Sequence, residues 1–168
     1  MVLPVWTTFW PDVIVAAIGA ALTVAIAVVT YVLNRLRNEG RALKALILDL
    51  SHRRVFTGQA VTIPDAQETG DYRRCNDSVI AAREEIRRAR GLVREEPSLQ
   101  LPLKRMTQAC NFYLEASERD PNTYAIRLVQ LGDELHEEIR KLASRRRGLP
   151  TPKPGSDAFP NDGPPPVR

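Results

Sequence analysis

Two repeats of the motif Asp-x-x-His are the residues whose types and spacing could support chemistry. Asp49 and His52 form the first repeat, and Asp133 and His136 form the second. At a spacing of three residues, a carboxylate and an imidazole share one face of a helix. Two such motifs, with carboxylates from two further helices, could build a dinuclear metal site inside a helical bundle.

The further carboxylates of such a site would be Glu84 or Glu85 and Glu115 or Glu118. Metal ligands of a bundle must project inward. With about 100° between successive helical residues, His52 projects nearly opposite the apolar side of its helix, and Asp133 and His136 also point away from theirs. We therefore expect both motifs to be surface pairs, and we expect no metal and no other cofactor.

Other catalytic motifs are missing from the sequence. It contains no phosphate-binding loop, no dinucleotide fingerprint and no nucleophile elbow. Ser51 and His52 are adjacent on a helix, so their side chains diverge. Cys75 and Cys110 fall on apolar stripes, which predicts buried thiols rather than a disulfide framework. We expect no enzymatic activity and no small-molecule substrate.

The first element of the fold is an apolar segment without a charged residue between positions 13 and 33. As a helix it would be roughly 31 Å long, close to the ~30 Å hydrocarbon core of a bilayer. We predict a transmembrane helix over 13–34, after a short extracytoplasmic segment over 1–12. A buried helix of a soluble domain is an unfavourable alternative, because such helices are rarely apolar on every face. A cleaved export signal stays an alternative, because residues 25–27 (Ala-Ile-Ala) resemble a cleavage site.

Charge next to this segment predicts its orientation. Residues 35–54 contain six basic and two acidic side chains, which account for the whole net charge of +4. Basic residues beside a span remain cytoplasmic, so we predict a single-pass protein of the plasma (inner) membrane with its N-terminus outside. The basic residues lack the interleaved aromatic residues of a nucleic-acid stacking surface, so we expect no nucleic-acid partner.

Several residues are predicted to anchor the chain in the membrane. The aromatic residues Trp6, Trp10 and Tyr31 would lie at the two membrane interfaces. The small residues Gly19 and Thr23, in a row with Ala27, would allow close approach of spans. The arginines Arg35, Arg37 and Arg41 would contact the anionic inner leaflet.

The remaining sequence predicts an all-α fold. An amphipathic juxtamembrane helix over 35–55 and a loop over 56–70 precede a helical hairpin or bundle domain over 71–147. Three stripes in that domain repeat at the heptad spacing typical of coiled coils. They consist of Tyr72, Cys75, Val79, Ala82, Ile86, Ala89 and Val93; Leu99, Leu103, Met106, Cys110, Tyr113 and Ser117; and Tyr124, Leu128, Leu131, Leu135, Ile139 and Leu142. The segment 148–168 is rich in proline and glycine, which predicts a disordered tail.

These features favour a non-enzymatic membrane protein whose cytosolic bundle binds a protein partner or another copy of itself. The candidate interaction residues are Leu43, Ile47 and Leu50, which would pack the juxtamembrane helix against the bundle as a fourth helix, and Arg83, Arg87 and Arg88 on a basic face. The alternative is a membrane-active effector, such as a phage-type lysis or exclusion protein, that acts through oligomerisation of its span. In its arginine- and alanine-rich composition with a proline-rich end, the chain resembles small membrane proteins of high-GC bacteria.

Overall fold

The computed structural model describes residues 6–146 and 148–158, with side-chain environments from residue 13 onward. All regular structure within these ranges is helical, which confirms the predicted all-α class. The chain divides into two compact units, Met1–Asn38 and Glu39–Arg168. Helix α1 (Trp6–His52) contributes residues to both units.

In the first unit, the described side chains of α1 are exposed from residue 13 through residue 35. By length and composition, the segment that begins at Val13 is apolar enough to cross a membrane, and none of its most apolar residues is buried. An apolar helix without a buried face has no protein core to support it, because helices of soluble domains bury an apolar stripe.

The second unit contains the last part of α1, residues 39–52, which we call the neck. Leu43, Ile47 and Leu50 are fully buried in the core of this unit. These three residues are spaced four and three apart, so they form one stripe on the helix. The neck thus packs as the fourth helix of the bundle.

The other three helices are α2 (Gly70–Leu92), α3 (Pro97–Arg119) and α4 (Tyr124–Arg145). Thr69 caps α2 by accepting a hydrogen bond from the Tyr72 amide at 3.3 Å, and Pro97 occupies the first turn of α3, where its missing N–H costs nothing. Short connections make α2, α3 and α4 antiparallel neighbours.

The three heptad stripes form the core of the bundle, as predicted. Every stripe residue of α3 and α4 is buried. The α2 stripe is buried from Val79 to its last member, Val93, which directly follows the helix. Tyr72 and Cys75, at the start of the α2 stripe, are half-buried. Apolar spacing therefore identified the packed face of each helix correctly.

Two short 3₁₀ turns, Arg54–Thr57 and Ala66–Glu68, interrupt the connection between the neck and α2. Phe56 and Ala66 are buried, which fastens both ends of the 56–70 loop to the bundle. In the middle, the Ile63 amide donates a hydrogen bond of 3.0 Å to the Asn122 carbonyl oxygen. The loop is thus held against the short connection between α3 and α4.

The segment 148–158 differs from the disordered tail predicted to begin at position 148. Its Gly155 and Asp157 amides donate hydrogen bonds of 3.0 Å to the carbonyl oxygens of Leu50 and Ser51. Those carbonyls belong to the last turn of α1, where a helix offers no internal donors. Amino-acid composition indicates how much apolar area a segment can bury. It does not indicate that carbonyl oxygens elsewhere in the chain need backbone N–H donors from that segment. Residues 159–168 of the predicted tail lie outside the described part.

Candidate functional site

The predicted membrane-anchoring residues whose side chains the structure describes all lie on the surface. Gly19, Thr23, Tyr31, Arg35, Arg37 and Arg41 are all exposed. The Thr23 hydroxyl donates to the Gly19 carbonyl oxygen at 2.9 Å, which satisfies this polar group within its own helix. The side chains of Trp6 and Trp10 lie outside the described part.

Three of the predicted interaction residues, a leucine–isoleucine–leucine stripe, lie on the face of the neck that packs into the bundle. Leu43, Ile47 and Leu50 are fully buried inside the bundle that the neck completes. Because the other helices of the same chain already cover them, their contribution is intramolecular packing. A partner could reach them only if the neck left the bundle.

The predicted basic face on α2 is balanced by neighbouring polar groups. Arg83 donates to the Asn111 side-chain oxygen at 3.0 Å, while Arg87 and Arg88 bond Glu84 at 3.0 Å and Glu85 at 2.6 Å. Exposed ion pairs of this kind contribute little to stability, about 0–1 kcal/mol. The face therefore presents a mixed charge pattern rather than a basic patch.

The two Asp-x-x-His motifs do not meet. Asp49 forms an ion pair of 2.7 Å with Arg53, and Asp133 pairs with Lys153 at 2.9 Å. The His136 Nδ1 atom lies 3.3 Å from the Pro152 carbonyl oxygen. Among residues 6–146 and 148–158, no three histidine, cysteine or acidic side chains are grouped closely enough to hold a metal ion.

A cleft of about 540 Å³ lies beneath the 56–70 loop, with Asp71, Cys75 and Tyr124 among its lining residues and Arg54 and Arg74 also contributing. Tyr124 donates its hydroxyl proton to the Asp71 carboxylate at 2.8 Å, and the Cys75 sulfur lies 3.8 Å from the same oxygen. The carboxylate is therefore already engaged by groups of the protein.

Neither cysteine in the bundle is activated as a nucleophile, and both are free thiols. Burial, reinforced by the charge of Asp71, raises the pKa of Cys75 to about 11. Burial also raises the pKa of the Cys110 thiol, to about 12. Since the thiolate is the reactive form, the raised pKa disfavours nucleophilic attack by either thiol at neutral pH.

A buried ion-pair cluster centred on Glu39 was not anticipated from the sequence. The Glu39 side chain is 1% exposed and accepts hydrogen bonds from Arg94 Nε at 3.0 Å and Arg146 Nη1 at 3.2 Å. A buried carboxylate is tolerated when it is paired and hydrogen-bonded. The cluster therefore joins the beginning of the neck to the α2–α3 connection and to the end of α4.

A groove of about 520 Å³ between α3 and α4 was also missed. Its lining includes Phe112, whose side chain is 61% exposed, and the carboxylates of Glu134, Glu137 and Glu138. Exposed aromatic residues are enriched at protein–protein interfaces. The signal available in the sequence was an aromatic residue off the apolar stripe of α3, two positions after Cys110.

Comparison with known proteins identifies no relative from which a function could be transferred. No protein-family model matches this chain, and no curated protein or solved structure is significantly similar to it.

Proposed function

We propose that this chain is a single-pass inner-membrane protein whose cytosolic helical bundle binds a protein partner, or a second copy of itself, at the membrane. The observation that supports the proposal most is the exposure of every described side chain from residue 13 through residue 33 in an uncharged helix. Contact with lipid chains would remove this apolar surface from water, whereas the alternative of a soluble core helix leaves it uncovered.

The proposed orientation, with the N-terminus outside, follows from the basic residues that come after the apolar segment. Arg35, Arg37 and Arg41 are all exposed, as an interaction with lipid headgroups requires. Cytoplasmic retention of such residues keeps everything after them on the same side of the membrane. The bundle would then occupy the cytoplasm.

Membrane fractionation tests the anchoring and the topology. Full-length protein is expected to stay in the pellet after an alkaline carbonate wash, and protease added to spheroplasts is expected to leave the bundle intact. A chain that is shorter than its gene predicts and appears outside the cell would instead identify a cleaved export signal. Degradation of the bundle by external protease would contradict the orientation.

The groove that contains Phe112 supports the interaction role of the bundle. Glu137 is paired with Arg140 and Glu138 with Lys141, and Arg105 also lines the groove. The exposed ring is therefore the main recognition feature, and it fits an apolar side chain of a partner segment. A photo-crosslinking residue at position 112 is expected to capture a discrete protein in native membranes. The matched probe at Arg119, an exposed position on the same helix, is expected to capture none; equal capture at both positions would contradict a specific groove.

The second candidate is a membrane-active effector that works through its span. Gly19, Thr23 and Ala27 form an exposed row of small residues, and an added Cβ at Gly19 would meet no atom within 4 Å. Such rows allow close helix packing in membranes. Rapid loss of membrane potential on overproduction, abolished by Gly19→Leu, would favour this candidate, whereas growth without loss of potential would favour the interaction role.

A further inference from the structure

The two ends of the bundle differ in their content of basic and acidic residues. Its Glu39 end consists of residues 39–41, 90–96 and 140–146, which are brought together by the bonds of Arg94 and Arg146 to Glu39. Its Asp71 end consists of residues 53–54, 63–74 and 115–124, joined by the Tyr124–Asp71 and Ile63–Asn122 hydrogen bonds and by the cleft that Arg54, Asp71 and Arg74 line. The Glu39 end contains seven basic and three acidic residues, and the Asp71 end contains five basic and six acidic residues.

The Glu39 end also presents an apolar side chain among its arginines. Leu92 is the last residue of α2, is 61% exposed and lies between Arg90 and Arg94 in the sequence. Gln100 fixes the turn around it, because its Nε2 atom lies 3.1 Å from the carbonyl oxygens of Val93 and Arg94. Leu92 therefore projects from an ordered turn rather than from a loose loop.

Chain connectivity determines which end of the bundle stays close to a membrane anchor. Only five peptide steps separate Glu39 from residue 34, where the predicted span ends. A chain covers at most about 3.6 Å per residue, so Glu39 stays within about 18 Å of the end of the span in any arrangement of the two units. The basic end is thus the end that an anchored chain brings to the lipid surface.

We propose that the Glu39 end docks on the anionic lipid surface, with Leu92 inserted among the headgroups and Arg90 and Arg145 contacting lipid phosphates. This inference rests on the proposed membrane anchor but adds a second contact, made by the folded bundle. Opposite charge attracts the basic end to anionic headgroups, and an apolar side chain among cations suits the interface between headgroups and acyl chains. The Asp71 end has no excess of basic residues to attract it and would point away from the membrane.

An environment-sensitive dye at position 92 of the full chain tests this orientation. The introduced cysteine of Leu92→Cys is exposed, whereas Cys110 is buried and Cys75 is half-buried. The wild-type chain treated identically measures any labelling of the two native thiols. Ile80→Cys is the matched control, because Ile80 is an exposed apolar residue of the same helix, at 40%, and does not line the groove that contains Phe112. Both proteins are reconstituted in vesicles of phosphatidylcholine alone or mixed with phosphatidylglycerol.

With the mixed vesicles, dye at position 92 is expected to shift its emission to the blue and to resist quenching by iodide, while dye at position 80 stays quenchable. Arg90→Gln combined with Arg145→Gln should diminish the shift, and Arg73→Gln combined with Arg119→Gln, at the opposite end, should not. High salt should weaken the shift because it screens the headgroup charge.

The other outcomes would contradict the docking of the Glu39 end, and the last of them would contradict the membrane anchor as well. Equal shifts at positions 92 and 80, or equal shifts in both lipids, would overturn the proposed docking end. A chain that resists carbonate extraction from the vesicles but shows no shift at position 92 would overturn this inference and leave the anchor in place. A chain released by carbonate would overturn the anchor as well.

Discussion

Helix α1 contains two apolar regions that differ in what covers them. Residues 13–33 carry apolar side chains on all faces, and every one of them is exposed. The neck, residues 39–52, carries apolar side chains on one stripe, and Leu43, Ile47 and Leu50 are fully buried. Both regions have the same backbone geometry, so the distribution of apolar side chains around the helix axis decides the difference.

This comparison shows how a sequence specifies the environment of a helix. A stripe of about 100° suits a protein core on one side and water on the other. An apolar surface on all sides suits lipid, because no single neighbouring helix can cover it. If this interpretation holds, the same substitution must have different effects in the two regions.

The largest expected effect comes from placing one carboxylate in each region. Leu50→Asp buries a charge without a partner, which costs on the order of 3–5 kcal/mol and consumes much of a typical domain stability of 5–15 kcal/mol. We expect this variant to lose the cooperative thermal transition of the bundle, measured by circular dichroism in mild detergent. Leu22→Asp, the matched control, should retain the transition but reduce the membrane-bound fraction. Loss of the transition in both variants would contradict the division into two units.

A smaller effect is expected at Glu39, where the neck begins. Glu39→Gln removes the negative charge with which Arg94 and Arg146 form ion pairs. Because these arginines are partly exposed, with side-chain exposures of 44% and 22%, we expect a loss of about 2–3 kcal/mol in unfolding free energy rather than the full cost of a buried pair. Glu84→Gln removes an exposed carboxylate and should cost below about 1 kcal/mol. Equal losses in denaturant titrations would show that burial of Glu39 has no energetic consequence.

The smallest effect tests whether the neck depends on residues 148–158. Gly155 and Gly148 both have a positive φ, 81° and 86°, where an added Cβ introduces strain of about 1 kcal/mol. Only at Gly155 would the Cβ also approach the protein, 3.0 Å from Thr57 Cγ2 and 3.1 Å from the Phe56 carbonyl carbon. Gly155→Ala should therefore cost about 2 kcal/mol, against about 1 kcal/mol for Gly148→Ala.

Hydrogen exchange provides the measurement for that pair of variants. Gly155→Ala is expected to accelerate exchange of amides in the last turns of α1 more than Gly148→Ala does, because the contact between segment 148–158 and the neck is weakened. Identical exchange in the two variants would mean that this segment does not stabilise the neck.

The sequence was informative wherever one periodic property decided the structure. The stripe from Leu128 to Leu142 predicted the buried face of α4, and the spacing of Leu43, Ile47 and Leu50 predicted the buried face of the neck. Each stripe repeats its apolar residues at every helical turn, so one polar residue within it does not change the predicted buried face.

The features that were missed depend on pairs of residues far apart in the chain. Glu39 stands three positions after Leu36 and four before Leu43, so its place on the apolar side was visible. Its partners Arg94 and Arg146 were not, because nothing local to either arginine distinguishes it from a surface residue. The same holds for Gly155, whose amide bonds a carbonyl 105 positions earlier.

The hydrogen bonds from segment 148–158 to the last turn of α1 impose an order on events during synthesis. Leu50 leaves the ribosome long before Gly155, by about 5–20 seconds at ordinary rates of elongation. The apolar segment 13–33 emerges earlier still, while the bundle cannot yet close around the neck. Under the proposed membrane anchoring, the nascent chain would therefore present its apolar helix to the insertion machinery before the bundle has folded.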